Sequence, residues 1–588
     1  MKTGGRFLIS PIGSEEIFTR EKFSEDHLAI QDLGKTYAND HIKPNREQIE
    51  KYDKELSLKL MEEGANLDLL GIHVSEEYGG FNLGIVAFSA LLEELAQGGS
   101  ASFVTTITAH MGIGTLPIEF FGTEEQKQKY IPKLIQGDLL SAFALTEPEH
   151  GTDALSASTT AVLSDDKKYY ILNGTKQFIT NGSWADVITL FAEIDGDKFT
   201  AFIVDGDTEG LSRGPEEEKM GLHGSSTCSI LLENAKVPVG NVLGKIGKGH
   251  QIALNILDVG RMELGAADLG GCKYCINEAV QYALQRKQFG QPIAQFDAIR
   301  SKFAEMVSHT FCLDSIVFRT SGMLDEAFSQ LEEGDAHYYE KVVNAMEQHA
   351  IESSIVKIYG SEALWHVVDH GVQIYGGYGF SEEYPLAAVA RDNRVDRIFE
   401  GTNEINRQLI IGFLTKKAFL EELPIRDAIK TIQPILEGNL PEIKSDILVD
   451  EKQALEVAKA AMLYVFNETI CRYGQGIRQE QQLGEMLADG LMGIYTVDSV
   501  LSRITQNEQK GNGDAIWLKV GQLITAETMY DLSSNIRRAV CNIFDGDELQ
   551  KSFEKLEIFF KKMLLPADVF LLKREIADDL YEHGHYRF

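Results

Sequence analysis

KYYILNGTKQFIT, residues 168–180, is where the chain changes texture. Apolar and β-branched residues cluster on both sides of an Asn-Gly pair, the pattern of extended strands meeting at a tight turn. Outward from it lie DVITLFAEI (186–194), FTAFIVDG (199–206) and CSILLENAKVPV (228–239), separated by Asn-Gly, Asp-Gly and Glu-Gly turns. These short runs predict a small β domain of antiparallel strands over 143–245.

Helical periodicity flanks this island on both sides. Upstream, KYDKELSLKLMEEGANLDLLGI (51–72) and the stretch from Gly84 to Phe121 space their apolar residues as helices do. Downstream, GHQIALNILDVGRMELGAADLGGCKYCINEAVQYALQRKQFG (249–290) restores the same period, which continues to about residue 419. A Pro-punctuated connector and a further helical block follow. The expected organisation is an α domain at 1–142, the β domain at 143–245, an α bundle at 246–420 and an additional helical domain at 421–588.

A chain of 588 residues is too long for one core, and 44% hydrophobic with 25% charged residues is ordinary globular composition. The net charge of −33 argues against nucleic-acid binding. A phosphate-bearing ligand would need local cations instead. Six cysteines make no disulfide framework, and the Cys272/Cys275 pair has no second pair to complete a zinc site, so no metal is expected. The N-terminus lacks the pattern of a secretion signal and no apolar run reaches transmembrane length. Together these point to a reducing compartment and a protein at most peripheral to a membrane; the expected localisation is the bacterial cytoplasm, with peripheral contact at the inner membrane as the weaker alternative.

Three segments can carry chemistry. FALTEPEHGTDA (143–154) places hydroxyls and glycine at a strand end, where backbone N–H groups can meet a polar ring or a phosphate; an ordinary loop exit reads the same way. In KQFITNG (176–182), Phe178 offers a flat face and Thr180 a hydroxyl on the same side of the strand, unless Phe178 simply fills the core. QIYGGYGF (373–380) allows close backbone approach, but it is not a dinucleotide fingerprint. It leads into RVDRIFEGTNEINRQLI (394–410), where Glu400 sits ahead of a helix start, a place that favours carboxylates for structural reasons alone.

With ALQRKQFGQPI (283–293) and GRMELGAA (260–267), these segments resemble the acyl-CoA dehydrogenase family, in its order, over residues 20–415. The very-long-chain type, with its C-terminal helical extension, is closest in character. The fold implied is mainly α with a central β domain, acyl-CoA dehydrogenase-like, plus an extra C-terminal helical domain. The implied cofactor is FAD. Phe143, Leu145, Thr146, Gly151 and Thr152 match flavin-holding positions, with Thr152 also near the acyl-CoA. Phe178 and Thr180 match those that pack on the ring system and bond near its N5. Arg286, Phe289, Gln373, Gly376 and Gly377 match residues that reach the FAD of a neighbouring subunit, and Thr402 and Glu404 match further flavin contacts. Asp258 and Arg261 match positions that meet coenzyme A.

Glu400 matches the catalytic base, which removes the α proton while the β hydrogen leaves as hydride, giving a trans-2-enoyl-CoA. Some relatives carry the base on the helix containing LDVGRM; that position here is Gly260, which has no side chain. The resemblance also implies a place in fatty acid β-oxidation, an electron-transfer flavoprotein as acceptor, and a homodimer. The competing functions are an acyl-CoA oxidase using oxygen and a non-catalytic scaffold on the same fold. Thr105 and Ala109 are small, which suggests a deep pocket for long acyl chains. His150, Ala388, Asp297 and Ser226 depart from the usual family residues. In the net-acidic extension, KLEIFFKKMLLPADVFLLKREI (555–576) reads as a packed helix pair interrupted at Pro566.

Overall fold

Ser24 and Thr123 begin helices Glu25–Tyr37 and Glu124–Ile135 with reciprocal capping bonds, to His27 and Gln126. A computed structural model describes residues 3–332, 335 and 337–588. Between those two helices runs Gly84–Ala96, whose sequence GIVAFSALLEELA is apolar on nearly every side and is buried from Ile85 to Leu95. Helix Ala101–Ala109 follows and widens into a π-helical turn, His110–Thr115.

The middle of the chain forms an eight-stranded sheet. Its strands are β1 (Ser141–Ala144), β2 (Thr160–Leu163), β3 (Tyr169–Thr180), β4 (Val187–Ile194), β5 (Lys198–Asp205), β6 (Leu211–Glu216), β7 (Thr227–Pro238) and β8 (Val242–Leu243), in the order β6-β7-β3-β2-β4-β5-β8 with β1 beside β4. Alternation along β4 divides its residues between two cores. Ile188, Leu190 and Ala192 join the sheet's own core, whereas Val187 and Phe191 face the helices.

The expectation of purely antiparallel strands needs correction: β1 and β2 both run parallel to β4. One edge of β4 is taken by β5. Its other edge still needs hydrogen-bond partners, and β1 supplies them at Val187–Leu190 while β2 supplies them at Glu193–Ile194.

Beyond the sheet, helices Gly249–Gln285, Asp297–Phe328, Ala350–Tyr375 and Asn403–Phe419 pack as a bundle. The C-terminal extension adds Val449–Tyr473, Gln481–Gln509, Ala515–Ile543, Gly546–Met563 and Val569–His583. The break holding Pro566 falls between the last two, as the sequence suggests. They do not pair with each other: Phe559 packs near Tyr464 (6.3 Å), while Tyr581 meets Phe303 (5.5 Å). Among the described residues no helix is long and apolar enough to cross a membrane.

A buried ionic cluster ties distant parts of the chain together. Asp314 bonds Arg20 (2.8 Å), Arg503 (3.0 Å) and Lys273 (3.3 Å). Glu93 takes Lys273 (2.6 Å) and Arg20, and Glu21 takes Arg503 (2.6 Å). Three cations thus neutralise three carboxylates, which is what allows such groups to lie inside.

Candidate active site

Glu400 is held in a conformation that few residues adopt unaided. Its φ is +57°, in the left-handed region, and Gly401 follows at +79°. Three side chains pin this turn by its carbonyl groups. Arg261 Nε donates to Glu400 O (3.2 Å), and Lys357 Nζ donates to Gly401 O (2.8 Å) and Asn403 Oδ1 (2.7 Å). Asn406 Nδ2 reaches the carbonyls of Glu400, Gly401 and Thr402 (3.3, 2.8 and 3.1 Å), while Asn403 is itself held by Ser361 (3.0 Å). Strain stored at such a turn persists only where its surroundings over-determine it.

The carboxylate these contacts position is left unbonded. Glu400 keeps a partly exposed edge, but Oε2 is enclosed and has no hydrogen-bond partner among the described residues. A β-carbon at Gly260 would lie 2.8 Å from that oxygen, so the helix offers its bare backbone there. Burial pushes the carboxyl up to about 7, against the opposing pull of Arg261 and Lys357. A group with that proton affinity, enclosed but uncommitted, suits proton abstraction near neutral pH.

Arg261 does not stand free for a phosphate. It is 4% exposed and paired with Asp258, which burial raises to about 6. Of the pair matched to coenzyme A contacts, the guanidinium bonds Asp258 and the Glu400 carbonyl. The residues the sequence missed lie around it. Lys357 is buried and lowered to about 8 by burial. Asp268 and Asp396 share a hydrogen bond beneath the turn, and burial raises both carboxyls. The available signal was an ionisable residue interrupting an apolar helical run, as Lys357 does in SSIVKIYG.

Phe178, two residues before the end of β3, sits at φ +57° within a register shift and is 62% exposed, so it presents its ring and does not fill the core. Thr180 pairs with Thr227 at the same strand end. Gln177 N–H donates to Thr146 O (2.9 Å), bringing the 143–154 segment alongside. That segment is braced by Glu147, which accepts from Lys176 (2.6 Å) and from the N–H groups of Ser158 (2.6 Å) and Thr159 (3.1 Å). Phe143 and Leu145 are buried, Phe143 against Phe191 (5.2 Å), so what they can offer a ligand is chiefly backbone. Gly151 and Thr152 are exposed, and His150 bonds Ser158 across the loop (3.0 Å). Thr402 caps the 403–419 helix through Ile405 N–H (3.3 Å), and Glu404 is exposed in its first turn.

Arg286, Phe289, Gln373, Gly376 and Gly377 form a separate exposed cluster. Arg286 lies over the Tyr378 ring (5.7 Å), and Phe289 and Phe380 are 94% and 89% exposed. Arg286 follows Arg261 by seven turns of one helix, roughly 37 Å at about 1.5 Å per residue. Ser226 supports the β3 end by accepting from Asn181 N–H (3.0 Å), and Asp297 pairs with Arg574 of the extension (2.7 Å). Ala388 lies half-buried on helix Pro385–Asp392. A Glu305–His366–His370 group has metal-ligand spacing, but Lys573 (2.8 Å) and Lys302 (3.4 Å) already bond it.

Comparison with known proteins gives consistent matches along the chain. Family models described as acyl-CoA dehydrogenase N-terminal, middle and C-terminal domains match residues 24–138, 142–235 and 247–414, and a further C-terminal-domain model matches 457–557. A probable acyl-CoA dehydrogenase of Bacillus subtilis is 38% identical over 100% of this chain and 98% of its own. The human mitochondrial very long-chain specific acyl-CoA dehydrogenase is 33% identical, covering 80% of this chain and 74% of its own. The crystal structure of an acyl-CoA dehydrogenase complexed with FAD from Bacillus anthracis superposes with a TM-score of 0.96 at 38% identity, covering 100% of both chains.

Proposed function

The chain belongs to the acyl-CoA dehydrogenase family and is an FAD-dependent enzyme, and from that premise we propose that it converts long-chain fatty acyl-CoA to trans-2-enoyl-CoA in fatty acid β-oxidation. The residues present fit the cofactor. Phe178 presents an exposed ring beside the Thr146 loop, and at Gly151, Gly376 and Gly377 a β-carbon would meet nothing within 4 Å. Such open backbone and flat apolar faces suit a planar, amphipathic ligand. When bound, FAD supplies the group that takes the β hydrogen as hydride.

Everything else falls to this chain's own side chains. Glu400, unprotonated above about pH 7, takes the α proton through Oε2. Its backbone N–H donates to the thioester oxygen, where negative charge develops as the α proton leaves. Arg261, Lys357, Asn403 and Asn406 keep the Glu400 turn from relaxing, and Gly260 leaves room for the carboxylate itself. Phe178, Thr180, Thr146, Thr152, Thr402 and Glu404, with the backbone around Phe143, Leu145 and Gly151, hold the flavin. Arg286, Phe289, Gln373, Gly376 and Gly377 reach that of a second copy. This last assignment is supported by their distance from Glu400 and by the exposure of Phe289 and Phe380, and makes the protein a homodimer. The acceptor we assign to the electrons is an electron-transfer flavoprotein, and the setting the bacterial cytoplasm.

The observation that carries this reading is the enclosed, unbonded Oε2 of Glu400 facing a glycine. Long chains are favoured by Thr105 and Ala109, small residues on the helix that leads into the π-turn. Anaerobic titration of the yellow holoenzyme with acyl-CoAs of increasing length tests it. Bleaching of the visible flavin band should be complete with long saturated chains and weak with butyryl-CoA. No bleaching by any acyl-CoA would overturn the function, and a preference for butyryl-CoA would overturn the chain length.

A further inference from the structure

The crevice that holds Glu400 contains a second carboxyl to which the mechanism gives no role. Glu263 stands three residues beyond Gly260 on the 249–285 helix, so it projects from nearly the same face, about 4.5 Å further along the axis. It is 3% exposed, and its Oε1 is enclosed without a hydrogen-bond partner among the described residues. The opposite wall makes room for it: a β-carbon at Gly112 of the π-turn would lie 2.1 Å from both of its oxygens. Ile113, the next residue, covers Gly260, where a β-carbon would stand 3.1 Å from its Cγ2. The two walls that frame Glu400 therefore also frame Glu263.

The other acids on this face are accounted for. Asp258 has Arg261, and Asp268 has Asp396 with Lys357 nearby. Glu263 has no ion pair among the described residues, and burial together with the charge of Glu400 pushes its carboxyl well above the usual range. That places a second, unpaired carboxyl beside Glu400, where burial and the neighbouring charge both favour its keeping a proton. A carboxyl that keeps its proton can donate it, and a leucine would fill the same space without leaving a polar atom unmatched.

We propose that Glu263 determines substrate specificity by hydrogen-bonding an oxygen carried on the acyl chain, a few carbons beyond the bond being oxidised. The preferred substrate class is then an acyl-CoA bearing a hydroxyl, carbonyl or ether oxygen, ahead of the plain hydrocarbon of equal length. This rests on the dehydrogenase reading above and adds a chemical class to it.

The test is kcat/KM for length-matched acyl-CoA pairs, one saturated and one with a single hydroxyl or keto oxygen stepped along the chain from the γ carbon. Wild-type holoenzyme should favour at least one oxygenated partner by about 5- to 140-fold, the ratio that ~1–3 kcal/mol gives at ~1.4 kcal/mol per tenfold. Glu263→Leu should abolish that preference and gain on the hydrocarbon; Glu263→Gln, which keeps a donor, should retain most of it. A wild type that prefers the hydrocarbon in every pair overturns the proposal whether or not the variants fold. So does a Glu263→Leu enzyme with normal flavin absorbance and an unchanged ratio. Failure of every thioester to reduce wild-type flavin removes the dehydrogenase reading and this one with it, whereas an active enzyme with an unaltered ratio removes this one alone.

Discussion

Gly260 lies so close to Glu400 that one added methyl group at its α-carbon would stand 2.8 Å from Oε2 and 3.1 Å from the carboxyl carbon. The helix is therefore shaped around the carboxylate it faces. Replacing Gly260 by Ala tests this in an unusual way. Alanine is the better helix former by about 1 kcal/mol, so stability should change little. Flavin reduction by acyl-CoA should nevertheless slow at least tenfold, because the base must move. Stopped-flow reduction at wild-type speed would show that the close approach has no catalytic meaning.

Glu400→Gln preserves the size of the side chain and removes its basicity. The reduction rate should fall by about 10²- to 10⁴-fold, the usual range for a positioned base, while acyl-CoA affinity stays near that of the wild type. In the parent enzyme kcat/KM should rise with pH and level off above about 7, where Glu400 has lost its proton. A flat profile between pH 5.5 and 8.5, arbitrary limits about 1.5 units either side of that value, is the result that would falsify this assignment.

The same carboxyl makes stability pH-dependent in a predictable direction. Its proton is held more tightly in the fold (about 7) than in the unfolded chain (about 4.3), so the fold loses stability as pH climbs through that window. Glu400→Gln lacks this loss. Urea midpoints of the two proteins should coincide near pH 4, and the variant should be the more stable by ~1–3 kcal/mol at pH 8. Equal midpoints at pH 8 would mean the carboxyl is not raised by burial.

Lys357→Met removes the donor that holds Gly401 O and Asn403 Oδ1 and a cation that lowers the Glu400 carboxyl. Two consequences should appear together. Stability should drop by about 1–3 kcal/mol for the buried acceptors left unmatched, and the pH profile of kcat/KM should move upward. Destabilisation with an unmoved profile would reduce Lys357 to a structural support.

Arg503→Met should destabilise the fold by up to ~3–5 kcal/mol, because Glu21 would lose its ion-pair partner and Asp314 would keep only Arg20 and Lys273. Thermal unfolding of the holoenzyme reads this directly. A shift within experimental error would show that neighbouring cations compensate.

The α–β–α order and the Glu400 position were legible because their causes are local. Period-two runs near residues 168–239, the return of period 3.6 after Gly249, and the IFEGTN string each act within a few residues. What could not be read depends on contacts between distant segments. The parallel pairing of β1 and β2 with β4 follows from which edge of β4 is free, and no strand's own sequence states that. Arg261 looks like any helix arginine until Asp258 and the Glu400 carbonyl surround it. Glu263 and Lys357 were hidden for the same reason: a charge within an apolar run is visible, but its neighbours across the crevice are not. Phe178 shows the converse, since strand alternation alone would have buried a ring that the register shift turns outward.

The charge cluster around Asp314 draws on residues as far apart as Arg20 and Arg503, so the molecule cannot be shortened by subtraction. Cutting the chain after residue 420 would strip one guanidinium from the interior, leaving Glu21 without its ion-pair partner and Asp314 with only Arg20 and Lys273. A compact relative of this enzyme would have to exchange those acids for apolar side chains at the same time. Extension and catalytic portion are bound to change in step, and a graft that ignores this should aggregate before it binds any ligand.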